Sequence, residues 1–213
     1  MGCLSLEYML KKIASMNGIT KFNFLKYVPS LTHGHYGFKA SEGIGTLFEV
    51  ETKRLSRGIS KIASNCGRKR DCALGIASKV IARGKERHLL LLDFDIHRLA
   101  TYSLPSLVED YFGKLAKNKR LNDALAVGEI NQVINRLKGG GDGFIVKSSD
   151  RGYHFYGLSV ITDEERRETL RDCSRIEEQW AESQLQIGYS ILRISACKNR
   201  LYAPKVIACP DYV

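Results

Sequence analysis

The hydrophobic period changes several times along the chain, and each change marks an element. Apolar positions at helical spacing from Leu4 to Met16 predict an opening helix. The glycine- and aromatic-rich stretch from His33 to Gly45 predicts a loop or short hairpin. Residues 51–87 read as helical in part, with Arg68-Lys69-Arg70 in a turn and Ala73 to Ala82 as an apolar helical segment. The run Leu89-Leu90-Leu91-Leu92 is short, continuous and followed by carboxylates, so His88 to Asp95 is a buried strand. Two helical stretches lie between Pro105 and Leu137, the second showing Ile130, Val133, Ile134 and Leu137 on one face. A run of glycines then breaks the chain. Phe144–Ser148 and Tyr153–Val160 follow as strands, joined by the hairpin signal Ser149-Asp150-Arg151-Gly152. Thr162 with Glu165 forms a capping box that starts a long helix through about Gln184, burying Leu170, Cys173 and Trp180. Gly188 ends it, Tyr189 to Ser195 is a strand, and Pro204 to Ala208 adds one more.

The order from 88 to 195 is β-α-β-β-α-β, the split βαβ or RRM-like arrangement, so the fold class is α+β. An antiparallel sheet of this order places Asp93, Asp95, His154 and Arg193 on neighbouring strands, and we expect them on one exposed face.

Charge adds a second layer. The net charge is +10, and it is uneven: eleven Lys or Arg lie between Glu51 and Leu92, against Glu51, Asp71 and Glu86. Such a block favours polyanions through counterion release and steering. No apolar run approaches the roughly 20 residues of a membrane helix. The opening Met1-Gly2-Cys3-Leu4-Ser5-Leu6 fails the N-myristoylation pattern at Leu6 and lacks the order of a secretory leader, so a soluble, cytoplasmic protein without membrane partners is expected. The six cysteines are scattered with no CxxC pair, which argues against a structural zinc and for reduced thiols.

Candidate chemistry concentrates at Asp93-Phe94-Asp95. Alternate side chains of a strand share a face, so both carboxylates point into one space. Their repulsion is relieved by a hard divalent cation, Mg²⁺ or Mn²⁺. The other candidates carry less. Gly43-x-Gly45 lacks the rest of a dinucleotide fingerprint, and His33/His35 has no obvious carboxylate or Cys partner. Taken singly, Asp93/Asp95, His154 and Arg193 each have a structural explanation: a strand end, a hydrogen-bonded core residue, an ion pair. Their co-occurrence in order points to a metal-assisted site for a phosphate-bearing substrate.

In that order the chain resembles the catalytic core of the archaeo-eukaryotic primase superfamily, which includes primase-polymerases. Asp93-Phe94-Asp95 resembles its Asp-hydrophobic-Asp motif, and Ser149-Asp150-Arg151-Gly152-Tyr153-His154 its Ser-x-His-type motif. Ile191-Leu192-Arg193-Ile194-Ser195, with Lys198, resembles the Leu-Arg-x-x-Ser segment after the third motif. The resemblance covers about residues 88–208. It implies an RRM-like catalytic module over 88–213 packed against an N-terminal basic α/β module over 1–87. The implied activity is primase or polymerase nucleotidyl transfer in DNA replication. Asp93 and Asp95 would hold metal, with Glu182 as the nearest candidate for the third-motif carboxylate, since no Asp stands there. Catalytic His154 would contact the nucleoside triphosphate, with Ser149, Arg151, Arg193 and Lys198 adding phosphate contacts. Arg68, Lys69, Arg70, Arg83 and Lys85 would track a single-stranded DNA or RNA template, and Tyr36, Tyr153 or Tyr156 would stack on bases. A helicase or accessory replication subunit is the implied protein partner. Two other readings stay open: a non-catalytic relative that binds single-stranded nucleic acid or nucleotides, and an unrelated metal-dependent nuclease or phosphoesterase.

Overall fold

A computed structural model describes residues 5–27, 47–63, 72–95, 119–137, 140–173, 175–176, 178–196 and 203–210. Arg68, Lys69, Arg70, Lys198, His33, His35, Tyr36 and the first helical stretch after Pro105 lie outside them. The first helix, α1 (Leu6–Asn17), starts where the Ser5 hydroxyl accepts the Tyr8 N–H and ends at Gly18, which takes a left-handed φ of 62°. Strands β1 (Ile19–Tyr27) and β2 (Phe48–Glu51) form the first antiparallel pair, and helix α2 (Leu55–Ala63) follows them. Strands β3 (Ala73–Ala82) and β4 (Lys85–Asp95) are joined by a two-residue turn at Arg83-Gly84. Helix α3 (Lys119–Ile134) leads to the hairpin β5 (Gly143–Lys147) and β6 (Gly152–Ile161). Helices α4 (Asp163–Asp172) and α5 (Glu178–Ile187), then β7 (Ile191–Arg193) and β8 (Lys205–Ala208), complete the described chain.

The result is α+β. Eight described strands form one sheet in the order β2-β1-β3-β4-β6-β5-β8, with β7 pairing β3. The β-α-β-β-α-β order is present, and β6 lies between β4 and β5, as in a split βαβ unit. The boundary expected at 87/88 falls inside β4, and the sheet and the main core run across it, from Met9 of α1 to Val206 of β8.

Three sequence expectations are corrected. Ala73–Ala82 is a strand, because β3 lies inside the sheet and is covered on both faces, which erases the period of two. Leu74, Ile76 and Val80 enter the main core, while Ala73 and Ala77 join Leu25, Tyr27 and Ile191 in a second cluster. The long helix from Thr162 is two helices, α4 and α5. The chain breaks after Cys173, and Ile176 forms a β-bridge with Phe94. The capping box itself is present: Thr162 Oγ1 accepts the Glu165 N–H while Glu165 accepts the Thr162 N–H. The site face is also largely covered at His154 and Arg193, which are 4% and 5% exposed.

What covers it is α5, which also pins β7. The Ile191 N–H donates to Gln184 Oε1 at 2.7 Å, and Trp180 Nε1–H donates to the Ile191 carbonyl at 3.3 Å. From the other side, Ser78 of β3 donates its N–H to Ser190 O at 2.7 Å and accepts the Ser190 N–H on Oγ at 2.9 Å. The Ser78 hydroxyl also meets buried His88 Nδ1 at 2.9 Å, which extends the network to β4.

Candidate active site

In the antiparallel β4–β6 pair, Asp93 stands directly opposite His154 and Asp95 opposite Gly152. Directly opposed residues share a face, so the pairing brings carboxylate and imidazole together: His154 Nε2 lies 3.7 Å from Asp93 Oδ1. Asp95 follows on the same face by the strand period, with no side chain across from it. Both carboxylates are half-buried, whereas Phe94 between them turns to the other face and is fully buried. On that opposite face Tyr153 Oη donates to Asp123 of α3 at 2.8 Å, and Lys147 Nζ pairs with the same carboxylate at 2.5 Å. The hairpin that carries His154 is thereby clamped from behind.

The turn preceding His154 is built by its own residues. Ser148 N–H and Ser149 N–H both donate to Gly152 O, and Gly152 N–H donates to Ser149 Oγ at 2.8 Å. A Cβ at Gly152 would sit 2.7 Å from Ser148 Oγ and 2.8 Å from Ser149 Oγ, so the tight turn requires glycine there. Ser149, expected at phosphate, therefore closes the turn, and Arg151 is exposed at its tip.

Asp93 and His154 open into a pocket lined also by Tyr27, Trp180, Ile191, Leu192 and Arg193. Its shape depends on small residues in β3. Gly75 pairs with Arg193, and a Cβ there would lie 2.8 Å from Ile191 Cγ2 and 2.9 Å from Tyr27 Cε1. Arg193 NH2 donates to the Ser148 carbonyl and NH1 to the Ser195 carbonyl, which ties β7 to the end of β5. Burial, reinforced by the Arg193 charge, holds the His154 imidazole down at about 3, so it is neutral at pH 7. Its buried Nδ1 and the buried Tyr156 hydroxyl meet no hydrogen-bond partner among the described residues, and the two rings are 6.3 Å apart. Tyr156 and Tyr153, expected as base-stacking platforms, are fully enclosed and have no face to offer.

Glu182 stands elsewhere. It is exposed on α5, two residues from Trp180 and so on the opposite side of the helix from the ring that lines the pocket. Among the described residues no group of three His, Cys, Asp or Glu side chains is close enough to hold a metal ion. Two half-buried carboxylates on one face still suit Mg²⁺ or Mn²⁺, because these ions keep waters and take further oxygens from a substrate's phosphates. Sequence reasoning missed Tyr27 altogether and treated Trp180 only as core. The Tyr27 signal was there in Ile19-Thr20-Lys21-Phe22-Asn23-Phe24-Leu25-Lys26-Tyr27, a β-branched and aromatic run with strand character.

A family model described as archaeo-eukaryotic primase 1D-like matches residues 53–206. Among solved structures, the chain is similar to the catalytic domain of primase RepB′ in complex with initiator DNA. The TM-score is 0.48 and the identity 10%, over 95% of this chain and 84% of that one. A second structure, primase RepB′, aligns with TM-score 0.45 and 12% identity over 94% of this chain and 55% of that one. No curated protein matches the chain. Among the described residues no helix is long and apolar enough to cross a membrane.

Proposed function

The chain belongs to the archaeo-eukaryotic primase family, and from that premise we propose that it is a template-dependent nucleotidyltransferase that makes or extends nucleic-acid strands from nucleoside triphosphates. The observation that carries this reading is the Asp93–His154 pair set face to face across β4 and β6, beside Asp95. Asp93 and Asp95 hold Mg²⁺ or Mn²⁺ in this reading. A divalent ion held there would supply Lewis-acid activation of a 3′-hydroxyl and charge stabilisation for a leaving pyrophosphate.

The remaining roles fall to the chain's own groups. Neutral His154 carries one N–H and can donate it to a triphosphate oxygen without bringing a competing positive charge to the carboxylates. Tyr27 and Trp180 wall off water and lower the local dielectric, which strengthens those contacts. The exposed cations Arg57 and Lys61 of α2 supply a sequence-independent hold on a template backbone. A helicase or other replication subunit is the protein partner this role calls for.

A second reading, a non-catalytic nucleic-acid-binding relative, is favoured by the lack of a third acid beside Asp93 and Asp95 among the described residues. Incorporation of labelled nucleotides on single-stranded and primed templates with Mn²⁺ separates the two, with Asp93→Asn/Asp95→Asn run alongside. Extension by the wild type alone supports the transferase. Template binding by both proteins with extension by neither supports the binding module. Strand shortening that the double variant abolishes removes both and leaves a nuclease.

A further inference from the structure

The end of the sheet remote from the carboxylates carries its own feature. Ile19 pairs with Ala82, and Ala82 with Lys85. Arg83 N–H donates to Gly18 O at 3.0 Å, and Thr52 Oγ1 donates to Ile19 O at 2.8 Å. These bonds bring the α1–β1 turn, the β3–β4 turn and the segment after β2 to one rim. Lys53, Arg54, Arg83 and Lys85 are exposed there, and Arg87 is half-exposed next to them. The carboxylates among them are Glu51, which lies 3.4 Å from Lys53 and 3.6 Å from Arg54, and Glu86, which pairs with Lys79. Asp163 of α4, near His88 farther along β4, is taken up by Arg166 and Arg167. Among the described residues Arg83, Lys85 and Arg87 have no carboxylate partner.

Arg83 is the informative member. It occupies the first position of a two-residue hairpin turn with φ 50°, followed by Gly84 at φ 74°. Asn, Asp or Gly is the usual occupant of that position, because other residues meet a steric penalty there. The backbone bond to Gly18 O is one that any residue makes, so it does not account for an arginine. The side chain runs over Gly18, whose lack of a Cβ makes room: a Cβ there would lie 3.0 Å from Arg83 Cγ. The stem is thus seated while the guanidinium stays exposed. An unfavourable backbone state kept for a pre-positioned cation points to use.

We propose that this rim is a second contact for the phosphodiester backbone, distinct from the reaction centre and spaced from it by the length of β4. Lys85 and Asp93 are eight residues apart on one strand, about 26 Å at roughly 3.3 Å per residue. That is the rise of about eight base pairs of duplex. A duplex that reaches the carboxylates touches the rim only when it extends that far.

The inference rests on the proposed function, and its test separates the two. Binding of labelled primer–templates with duplex arms of 4 and 16 base pairs is measured by fluorescence anisotropy across a salt series. Matched single strands run in parallel, and nucleotide incorporation is assayed on the same samples. Wild type is compared with Lys53→Gln/Arg54→Gln/Arg83→Gln/Lys85→Gln, all surface changes, with the fold checked by the fluorescence of the lone tryptophan. We expect the variant to lose tenfold or more in affinity on the long duplex and less than twofold on the short one. Its salt slope on the long duplex should fall by about 0.9 for each lost phosphate contact. Equal losses on both duplexes, no loss on either, or a loss confined to single strands overturns the rim contact. Length-dependent binding without incorporation leaves the rim standing and removes the transferase. Absence of binding to every probe removes both.

Discussion

Arg193 offers the sharpest separation between a ligand-binding and an architectural role. Family resemblance assigns it to phosphate, yet the residue is 5% exposed and its guanidinium donates to the carbonyls of Ser148 and Ser195. Hydrogen bonds from a charged donor contribute about 1.5–3 kcal/mol each, and a buried carbonyl left without a donor costs about 1–3 kcal/mol. Ser148 is itself buried, so Arg193→Ala should destabilise the protein by about 3–5 kcal/mol, a large fraction of a typical 5–15 kcal/mol total. Arg193→Lys should recover little, because one ammonium on a flexible stem does not reproduce the planar fork. The assay is urea unfolding followed by Trp180, the single tryptophan, which lines the same pocket. Triphosphate binding is measured on each variant in the absence of urea. A wild-type unfolding midpoint combined with lost triphosphate binding would refute the architectural assignment. A lowered midpoint, with binding retained in the fraction that stays folded, is the expected result.

Further outcomes follow from the same geometry. Gly75→Ala should cost about 1–3 kcal/mol, since the new methyl meets Ile191 and Tyr27 inside 3 Å, and it should shift the Trp180 emission; thermal unfolding and fluorescence check both. His88 is held at about 4 by burial and then by Arg166, with Asp163 opposing, against 6.5 unfolded. Its contribution is therefore complete above pH 6.5 and is lost as pH falls to about 4, at about 1.4 kcal/mol per unit and about 3 kcal/mol in all. Urea midpoints between pH 7 and 4 should fall for wild type and fall about half as steeply in His88→Gln, because His154, held at about 3, loses its own contribution over the same window. Thr162→Ala should remove about 1 kcal/mol by opening the capping box, read as a lower melting temperature with the α5 packing intact.

The sequence was legible where one physical demand dominated locally. β4 stands out because an uninterrupted leucine run ends in carboxylates, and the β5–β6 hairpin because its turn chemistry sits between two apolar runs. The capping box at Thr162 announced α4 from four residues. β3 was unreadable for the opposite reason. Ala73, Gly75 and Ala77 must be small to admit Tyr27 and Ile191 on one face, while Leu74, Ile76 and Val80 fill the main core on the other. Small residues among aliphatics carry no strand signature, and the periodicity that separates strand from helix vanishes when both faces are buried. The break after Cys173 has no glycine or proline to announce it. It accompanies a tertiary pairing, Ile176 with Phe94, which no local window contains.

The same division runs through the site. Its chemical members, Asp93, Asp95 and His154, lie on two adjacent antiparallel strands, so the alternation of each strand and one register suffice to bring them together. Its walls come from the end of β1, from α5 and from β7, whose position follows from pairing with β3 and from the bonds of Gln184, Trp180 and Ser78 to residues 190 and 191. Those walls decide what the chemical members can do. An imidazole on an exposed sheet face would titrate near neutrality and carry charge for part of the physiological range. Beneath Trp180 and beside the buried Arg193 charge, the same imidazole stays neutral, with Nδ1 left unsatisfied. An unsatisfied buried nitrogen costs stability in the free protein. A substrate or an ordered water that supplied the missing partner would recover that cost on binding, so the unsatisfied Nδ1 of His154 favours occupation of the pocket.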